Sequence, residues 1–217
     1  MLTRRFTLCF FLLAKSAHGQ DAGTASFDPG TYGEPITAQV IVQNCSAPDD
    51  GNYCLFYGDG GRWAAARGQN SNEIALELVA QAPVNTPFLI TGDIVSFGDI
   101  TAEVAISKIE PGTPDLWAPT RDAMQGGWTS TEDPQSTLSI WGSEQVSAYG
   151  GETVDVSTMT FSQSCLDGTT LERGFFTQTM GGDPLDSFCY EVLNVTPDRL
   201  DLSYVGRGNT LSFTRTR

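Results

Sequence analysis

Apolar and polar residues alternate in short segments along the first half of the chain, which is the pattern of half-buried β-strands. These segments are rich in β-branched and aromatic residues, and turn-forming Gly, Asn and Asp residues separate them. Five strands are predicted, over residues 36–43, 53–57, 62–67, 88–96 and 101–110.

One helix is predicted between the third and fourth strands. Ser71 or Asn72 is its candidate N-cap, because either side chain can accept hydrogen bonds from the first backbone N–H groups. Pro83 ends the segment. Its apolar stripe consists of Ile74, Leu78 and Val79.

The second half of the chain is predicted to be entirely β. Turn signals occur at the spacing that is typical of sandwiches and barrels. The predicted strands cover residues 127–131, 136–141, 144–149, 153–163, 169–179, 187–194, 198–205 and 209–215. So many short strands favour a closed antiparallel barrel, because closure removes exposed sheet edges.

The predicted fold class is therefore mainly β, with two small antiparallel β-barrel domains after a signal peptide. The signal peptide is predicted over residues 1–20 and a flexible leader over 21–35. The first barrel is predicted over 36–110, a Pro-rich linker over 111–121, and an eight-stranded barrel over 122–217.

Residues 1–20 have the order of a cleavable secretory signal. Arg4 and Arg5 precede an apolar run over residues 6–14, and small residues follow at Ala17 and Gly19. The run is shorter than the ~20 residues that a membrane-spanning helix needs. We expect a periplasmic or secreted protein without a membrane anchor.

The net charge of the chain limits the classes of molecule that it can bind. The chain has a net charge of −14, from 12 basic and 26 acidic residues. Loss of residues 1–20 removes three of the basic residues and no acidic one, which leaves 9 against 26, a net charge of −17. Such a field repels phosphate backbones. We expect no nucleic-acid partner, and instead a small molecule or a protein whose identity the sequence does not specify.

Four cysteines remain after the signal peptide: Cys45, Cys54, Cys165 and Cys189. An even number in an exported chain predicts two disulfides. Three pairings are possible, and the local pairing, Cys45 with Cys54 and Cys165 with Cys189, is the most economical. Neither pair has the close spacing of zinc ligands. We predict no metal and no cofactor.

Most catalytic schemes lack their residues. Once His18 is removed with the signal peptide, no catalytic triad, Cys–His pair or histidine metal site can form. Paired acidic residues are the remaining route, since glycoside hydrolysis uses two carboxyl groups. Candidate pairs are Asp93 with Asp99, Glu132 with Asp133, and Asp183 with Asp186. Surface acids are expected in so acidic a chain, and we predict no catalytic residue.

Two turns and one arginine are weaker candidates for binding. Residues 49–52 and 58–61 place oxygen ligands on turns, as calcium prefers, but hydrogen-bonded turn residues explain them as well. Arg207, in the turn before the last strand, is a possible contact for an anionic ligand. The alternative for Arg207 is a solvated turn residue.

The stretches YCLFYGDGGRWAAA and FLITGDIVSFGDITAEVAISKIE resemble strand pairs of small exported bacterial OB-fold proteins. The element order over residues 36–110 is that of the OB-fold barrel. The resemblance implies a periplasmic protein that binds small ligands or acts in stress protection.

Residues 122–217 resemble a short lipocalin-type barrel. Gly126-Gly127-Trp128 is similar to the Gly-x-Trp of the first lipocalin strand, and Arg215 in LSFTR matches the arginine that packs across that tryptophan. The resemblance implies that Trp128 and Arg215 close the barrel. Bacterial inhibitors of secreted metalloproteases are small barrels of similar size.

These observations favour a non-enzymatic extracytoplasmic binding or accessory protein. One alternative is a protease inhibitor or envelope-protection factor that acts through the second barrel. A second alternative is a hydrolase of glycans that uses carboxylates alone.

Overall fold

A computed structural model describes residues 24–45, 52–58, 61–98, 101–180 and 187–216. Within these ranges the chain forms two closed β-barrels, one after the other. This confirms the predicted mainly β fold. The predicted signal peptide, Asp99, Asp183, Asp186 and most of the two turns considered for calcium lie outside the described residues.

The first barrel has five strands. They are β1 (Glu34–Cys45), β2 (Tyr53–Gly58), β3 (Gly61–Ala66), β4 (Pro87–Phe97) and β5 (Ala102–Pro111). The order around the barrel is β1-β2-β3-β5-β4. The pair β3–β5 is parallel, which differs from the predicted antiparallel barrel. An odd number of strands in a closed ring requires at least one parallel pair.

Helix α1 (Glu73–Ala80) connects β3 to β4. Asn72 is the N-cap, and its Oδ1 accepts hydrogen bonds from the backbone N–H groups of Ile74 and Ala75. The predicted apolar stripe is largely wrong, because Ile74 and Leu78 are exposed. The buried face consists of Ala75, Leu76 and Val79.

Strand β5 has a bulge at Ser107. Thr91 pairs with Lys108 and the next residue, Gly92, pairs with Ile106, so Ser107 has no register partner in β4. A bulge changes which face the following residues present. Ile109 therefore joins Ile106 in the core of the barrel.

Residues 24–33, in the segment predicted to be a flexible leader, lie against β4 and β5. The buried carboxylate of Asp93 accepts hydrogen bonds from the N–H groups of Gly30, at 2.6 Å, and Tyr32, at 2.7 Å. Burial alone would raise the pKa of Asp93, but backbone donors of residues 30–33 outweigh it and lower the pKa. Asp93 thus attaches this segment to the barrel.

The second barrel has eight strands, all antiparallel, at the positions that the alternation predicts. The strands are β6 (Gly126–Ser130), β7 (Ser136–Trp141), β8 (Glu144–Tyr149), β9 (Glu152–Ser164), β10 (Thr170–Thr179), β11 (Ser187–Val195), β12 (Arg199–Tyr204) and β13 (Asn209–Arg215). Its core is filled by large side chains that include Trp128, Ile140, Met159, Phe175 and Leu200.

A second helix, α2 (Ala118–Met124), begins inside the predicted linker of residues 111–121 and continues beyond it. The prolines that indicate a linker are compatible with this helix, because Pro119 lies in its first turn, where a missing N–H costs nothing. The helix is too short for apolar periodicity to reveal it.

Two disulfides join Cys45 to Cys54 and Cys165 to Cys189, as predicted. Disulfides fit an oxidising compartment. Neither helix in the described ranges has the length and hydropathy that a membrane crossing needs.

Candidate functional site

A cleft of about 570 Å³ lies between the two barrels. Its walls come from β1 and β2 of the first barrel, from residues 113–121, and from β9 of the second barrel. Apolar side chains that line it include Val40, Ile41, Pro87, Trp117, Met159 and Phe161. Both the volume and the largely apolar walls are typical of small-molecule sites, which often occur at domain interfaces.

The walls of the cleft are held together by hydrogen bonds between the barrels. The buried side chain of Gln43 donates from Nε2 to the Trp141 carbonyl, at 2.6 Å, and accepts at Oε1 from Ser143 N–H, at 3.0 Å. Asn85 Nδ2 donates to Asp122 Oδ1 at 3.0 Å. Because Gln43 is 2% exposed, its two bonds are shielded from water and help to hold the barrels in one arrangement.

Tyr57 lies at the edge of the cleft and adds a further contact between the barrels. Its hydroxyl donates to Glu144 Oε1 at 2.8 Å, and Arg62 Nη2 lies 3.8 Å from the same oxygen. Burial raises the pKa of Tyr57, and the Glu144 carboxylate raises it further. Tyr57 therefore stays protonated and acts as a hydrogen-bond donor.

Arg121, on α2, is the cationic group among the described residues in the wall of the cleft, and the residue is only 3% exposed. Its Nη1 and Nη2 donate to the two carboxylate oxygens of Asp115, at 3.2 and 3.3 Å. Its Cζ lies 5.7 Å from the centre of the Phe161 ring. Its Nε has no hydrogen-bond partner among the described residues.

Asp115 is the partner of Arg121 and is much more accessible, with 47% of its side chain exposed. Among the described residues that line the cleft, Asp115 is the only carboxylate. A retaining or inverting glycosidase needs two carboxyl groups facing each other. Among the described residues, the cleft thus offers an apolar surface, one cationic group and one carboxylate.

Of the predicted acidic pairs, Glu132 with Asp133 lies wholly within the described ranges, and it is outside the cleft. Glu132 and Asp133 are in the turn between β6 and β7, where Asp133 accepts a hydrogen bond from Gln135 N–H. Both backbone N–H groups of the pair donate to Ser130 Oγ. These contacts are those of a turn.

The structure brings Trp128 and Arg215 together at one end of the second barrel. Arg215 Cζ lies 4.1 Å from the centre of the buried Trp128 ring, and Trp128 Nε1 donates to the Met124 carbonyl at 2.8 Å. Every guanidinium nitrogen of Arg215 donates to a backbone carbonyl; these belong to Ala123, Gln125 and Pro197. The two side chains join the end of α2 to the barrel.

Arg207 lies in the exposed turn between β12 and β13, with its Cζ 5.9 Å from the centre of the Tyr204 ring. It is not among the described residues that line the cleft. Its role as a ligand contact stays a prediction.

Sequence reasoning missed Arg121, Asp115 and Trp117, because all three fall in the segment that its prolines mark as a linker. The signal in the sequence is the presence of a tryptophan between two opposite charges, in DLWAPTR. Solvated linkers seldom contain large aromatic residues.

Comparisons with known proteins give no relative for this chain. No family model matches it, and no curated protein or solved structure is significantly similar to it. The function is therefore argued from the geometry of the cleft.

Proposed function

We propose that this protein is a non-enzymatic extracytoplasmic binding protein, periplasmic or secreted, that holds a small molecule between its two barrels. The single observation that carries the proposal is the 570 Å³ cleft, whose apolar walls surround one buried cationic side chain. A largely apolar pocket with few polar groups gives affinity through burial and orientation through the polar contacts. The two disulfides support a place in an oxidising compartment.

We further propose that the first barrel is of the OB type. The strand order β1-β2-β3-β5-β4, with a helix between β3 and β4, supports this assignment. We propose a lipocalin-like relationship for the second barrel, supported by the stacking of Arg215 on Trp128 in the first of its eight strands. Shared architecture does not assign a ligand, which must be argued from the site.

A ligand screen that follows the melting temperature of the mature protein tests the proposed function. Bound ligand stabilises the native state by RT ln(1 + L/Kd), where L is the free ligand concentration, so the melting temperature rises with ligand concentration. A Thr160→Trp variant places a large side chain in the wall of the cleft and should abolish the shift that a hit produces. The matched control is Thr153→Trp, at an exposed position of the same strand, which should leave the shift unchanged.

Two outcomes of the screen would overturn the proposal. One is the absence of any hit from a broad library of small molecules. The other is a hit whose effect survives Thr160→Trp and is lost with Thr153→Trp, since its site would then lie away from the cleft.

The protease-inhibitor and glycan-hydrolase alternatives have less support. Inhibition of that kind acts through a free segment before the second barrel, whereas here this segment follows the first barrel directly and two of its residues, Trp117 and Arg121, are buried. Titration of secreted proteases with the protein tests the first alternative, and glycan turnover tests the second. Either activity, if found, would displace the binding hypothesis.

A further inference from the structure

The cleft contains a buried cationic side chain, although the chain as a whole is acidic. The protein as a whole is strongly acidic, with a net charge of −14. The cleft, in contrast, contains a buried guanidinium whose carboxylate partner, Asp115, is about half exposed. An arginine that is 3% exposed has lost most of its hydration, so its charge and its donors need partners.

The donors of Arg121 are incompletely used. A guanidinium has five N–H groups in a planar fork, which suits bidentate contact with a carboxylate. Asp115 takes one contact from each Nη, at 3.2 and 3.3 Å, and Nε has no partner among the described residues. Both Asp115 contacts are longer than the 2.7–2.9 Å that is usual for strong charge-assisted bonds. The guanidinium can therefore donate to a second carboxylate, or to one that replaces Asp115.

We propose that the ligand is a monoanion with a carboxylate on an apolar body, and that Arg121 binds the carboxylate in place of Asp115. This inference rests on the proposed function. Asp115 can leave the pair at low cost, because 47% of its side chain already faces solvent. Arg121 cannot leave, because it is buried in the wall of the cleft.

The rest of the lining defines the apolar body of the ligand. Trp117 and Phe161 lie with their ring centres 6.1 Å apart, and Met159 adjoins them in the lining. An amine would meet the like charge of Arg121. A phosphate dianion would need more than the one cationic side chain found among the described lining residues.

Isothermal titration of the mature protein with decanoate, decanol and decylamine tests the inference, because the three probes share one apolar chain and differ in charge. Decanoate should bind at least about tenfold more tightly than decanol, the effect of one or two charge-assisted hydrogen bonds. Decylamine should bind most weakly. Thr160→Trp should abolish decanoate binding.

Two substitutions should change decanoate affinity in opposite directions. Arg121→Met should reduce decanoate affinity to that of decanol and leave decanol unchanged. Asp115→Asn should raise decanoate affinity by about threefold or more, because the competing charge is gone while its oxygen still accepts from Trp117 N–H. A residue with only a structural role would not produce opposite signs. Arg173→Met, which removes an exposed arginine that is not among the described residues lining the cleft, is the matched control and should change nothing.

The outcomes separate this inference from the proposed function. If decanol binds in the cleft as tightly as decanoate, or if Asp115→Asn weakens decanoate binding, the inference is overturned while the binding function stands. If none of the three probes binds, the inference is also overturned, and the wider ligand screen decides the function.

Discussion

Two arginines lie over aromatic rings in this protein, one half-buried and one buried, and they differ in how their hydrogen bonds are used. Arg215 lies 4.1 Å from the centre of the Trp128 ring and donates from every guanidinium nitrogen to backbone carbonyls. Arg121 lies 5.7 Å from the Phe161 ring, shares two contacts with a half-exposed carboxylate, and has an unpartnered Nε among the described residues.

The difference separates an arginine whose contacts are structural from the arginine that we propose binds the ligand. Carbonyls at the end of a helix attract a cation, and Arg215 meets two of them at the end of α2. Each nitrogen of its guanidinium already donates to a carbonyl, and Arg215 is not among the described residues that line the cleft. Arg121 lines the cleft, and its Nε has no hydrogen-bond partner among the described residues. Substitutions at the two sites should therefore separate loss of stability from loss of binding.

The largest expected effect is at the structural site. Trp128→Ala should lower the free energy of unfolding by about 3–5 kcal/mol, because it removes a fully buried ring from the core of the second barrel and leaves a cavity. Chemical denaturation measures the loss. Trp141→Ala, at a position 56% exposed, is the control and should change the free energy by less than about 1 kcal/mol. Equal losses of unfolding free energy in both variants would contradict a structural role for the Trp128 ring in the barrel core.

The next effect compares the two arginines directly. Arg215→Met should cost about 2–3 kcal/mol, since it leaves the carbonyls of Ala123, Gln125 and Pro197 without donors and removes the contact with Trp128. Arg121→Met should cost less than about 1 kcal/mol, because Asp115 can turn to water and methionine fills the apolar space. Denaturant titration of the two variants measures both values. A larger loss of unfolding free energy for Arg121→Met than for Arg215→Met would contradict this difference between the two arginines.

A smaller effect comes from an arginine on the surface. Arg199 Nε donates to Asp201 Oδ2 at 2.7 Å, and Ser212 Oγ donates to Oδ1 at 2.7 Å. The hydrogen bond from Arg199 is the main cause that lowers the pKa of Asp201 to about 2, against an unfolded value of about 3.9. The stabilisation is therefore complete above about pH 5 and is lost as the pH falls through about 2.

Asp201→Asn tests this pH dependence. The variant should be less stable than the parent by about 1 kcal/mol at neutral pH, and the difference should shrink towards zero as the pH approaches 2. Thermal unfolding of both proteins across the pH range measures it. A difference that stays constant from neutral pH to pH 2 would show that the charge of Asp201 has no role.

The strands were predictable from the sequence because each one carries its own signal. All eight strands of the second barrel alternate or are bounded by turn residues, so local pattern was sufficient. The bulge at Ser107 was not predictable, because simple alternation places Lys108, not Ile109, on the face of Ile106. The short helix α2 was not predicted either, because the prolines in and before it indicate a linker.

The candidate site was not predictable, because no local pattern encodes a contact between two barrels. Gln43 and Ser143 lie 100 residues apart in the chain, and their hydrogen bond helps to set the walls of the cleft. Trp128 and Arg215 were found because a family resemblance linked two distant positions. Arg121 had no such link, and its burial is a property of the tertiary structure alone.

The most direct test of the binding site in the cleft is a crystal structure with bromodecanoate, in which the anomalous signal of bromine marks the ligand. We expect the bromine between the barrels, near Trp117 and Phe161, and the carboxylate within hydrogen-bond distance of the Arg121 guanidinium. A bromine peak inside the second barrel or beside Arg207, with the cleft empty, would contradict the account.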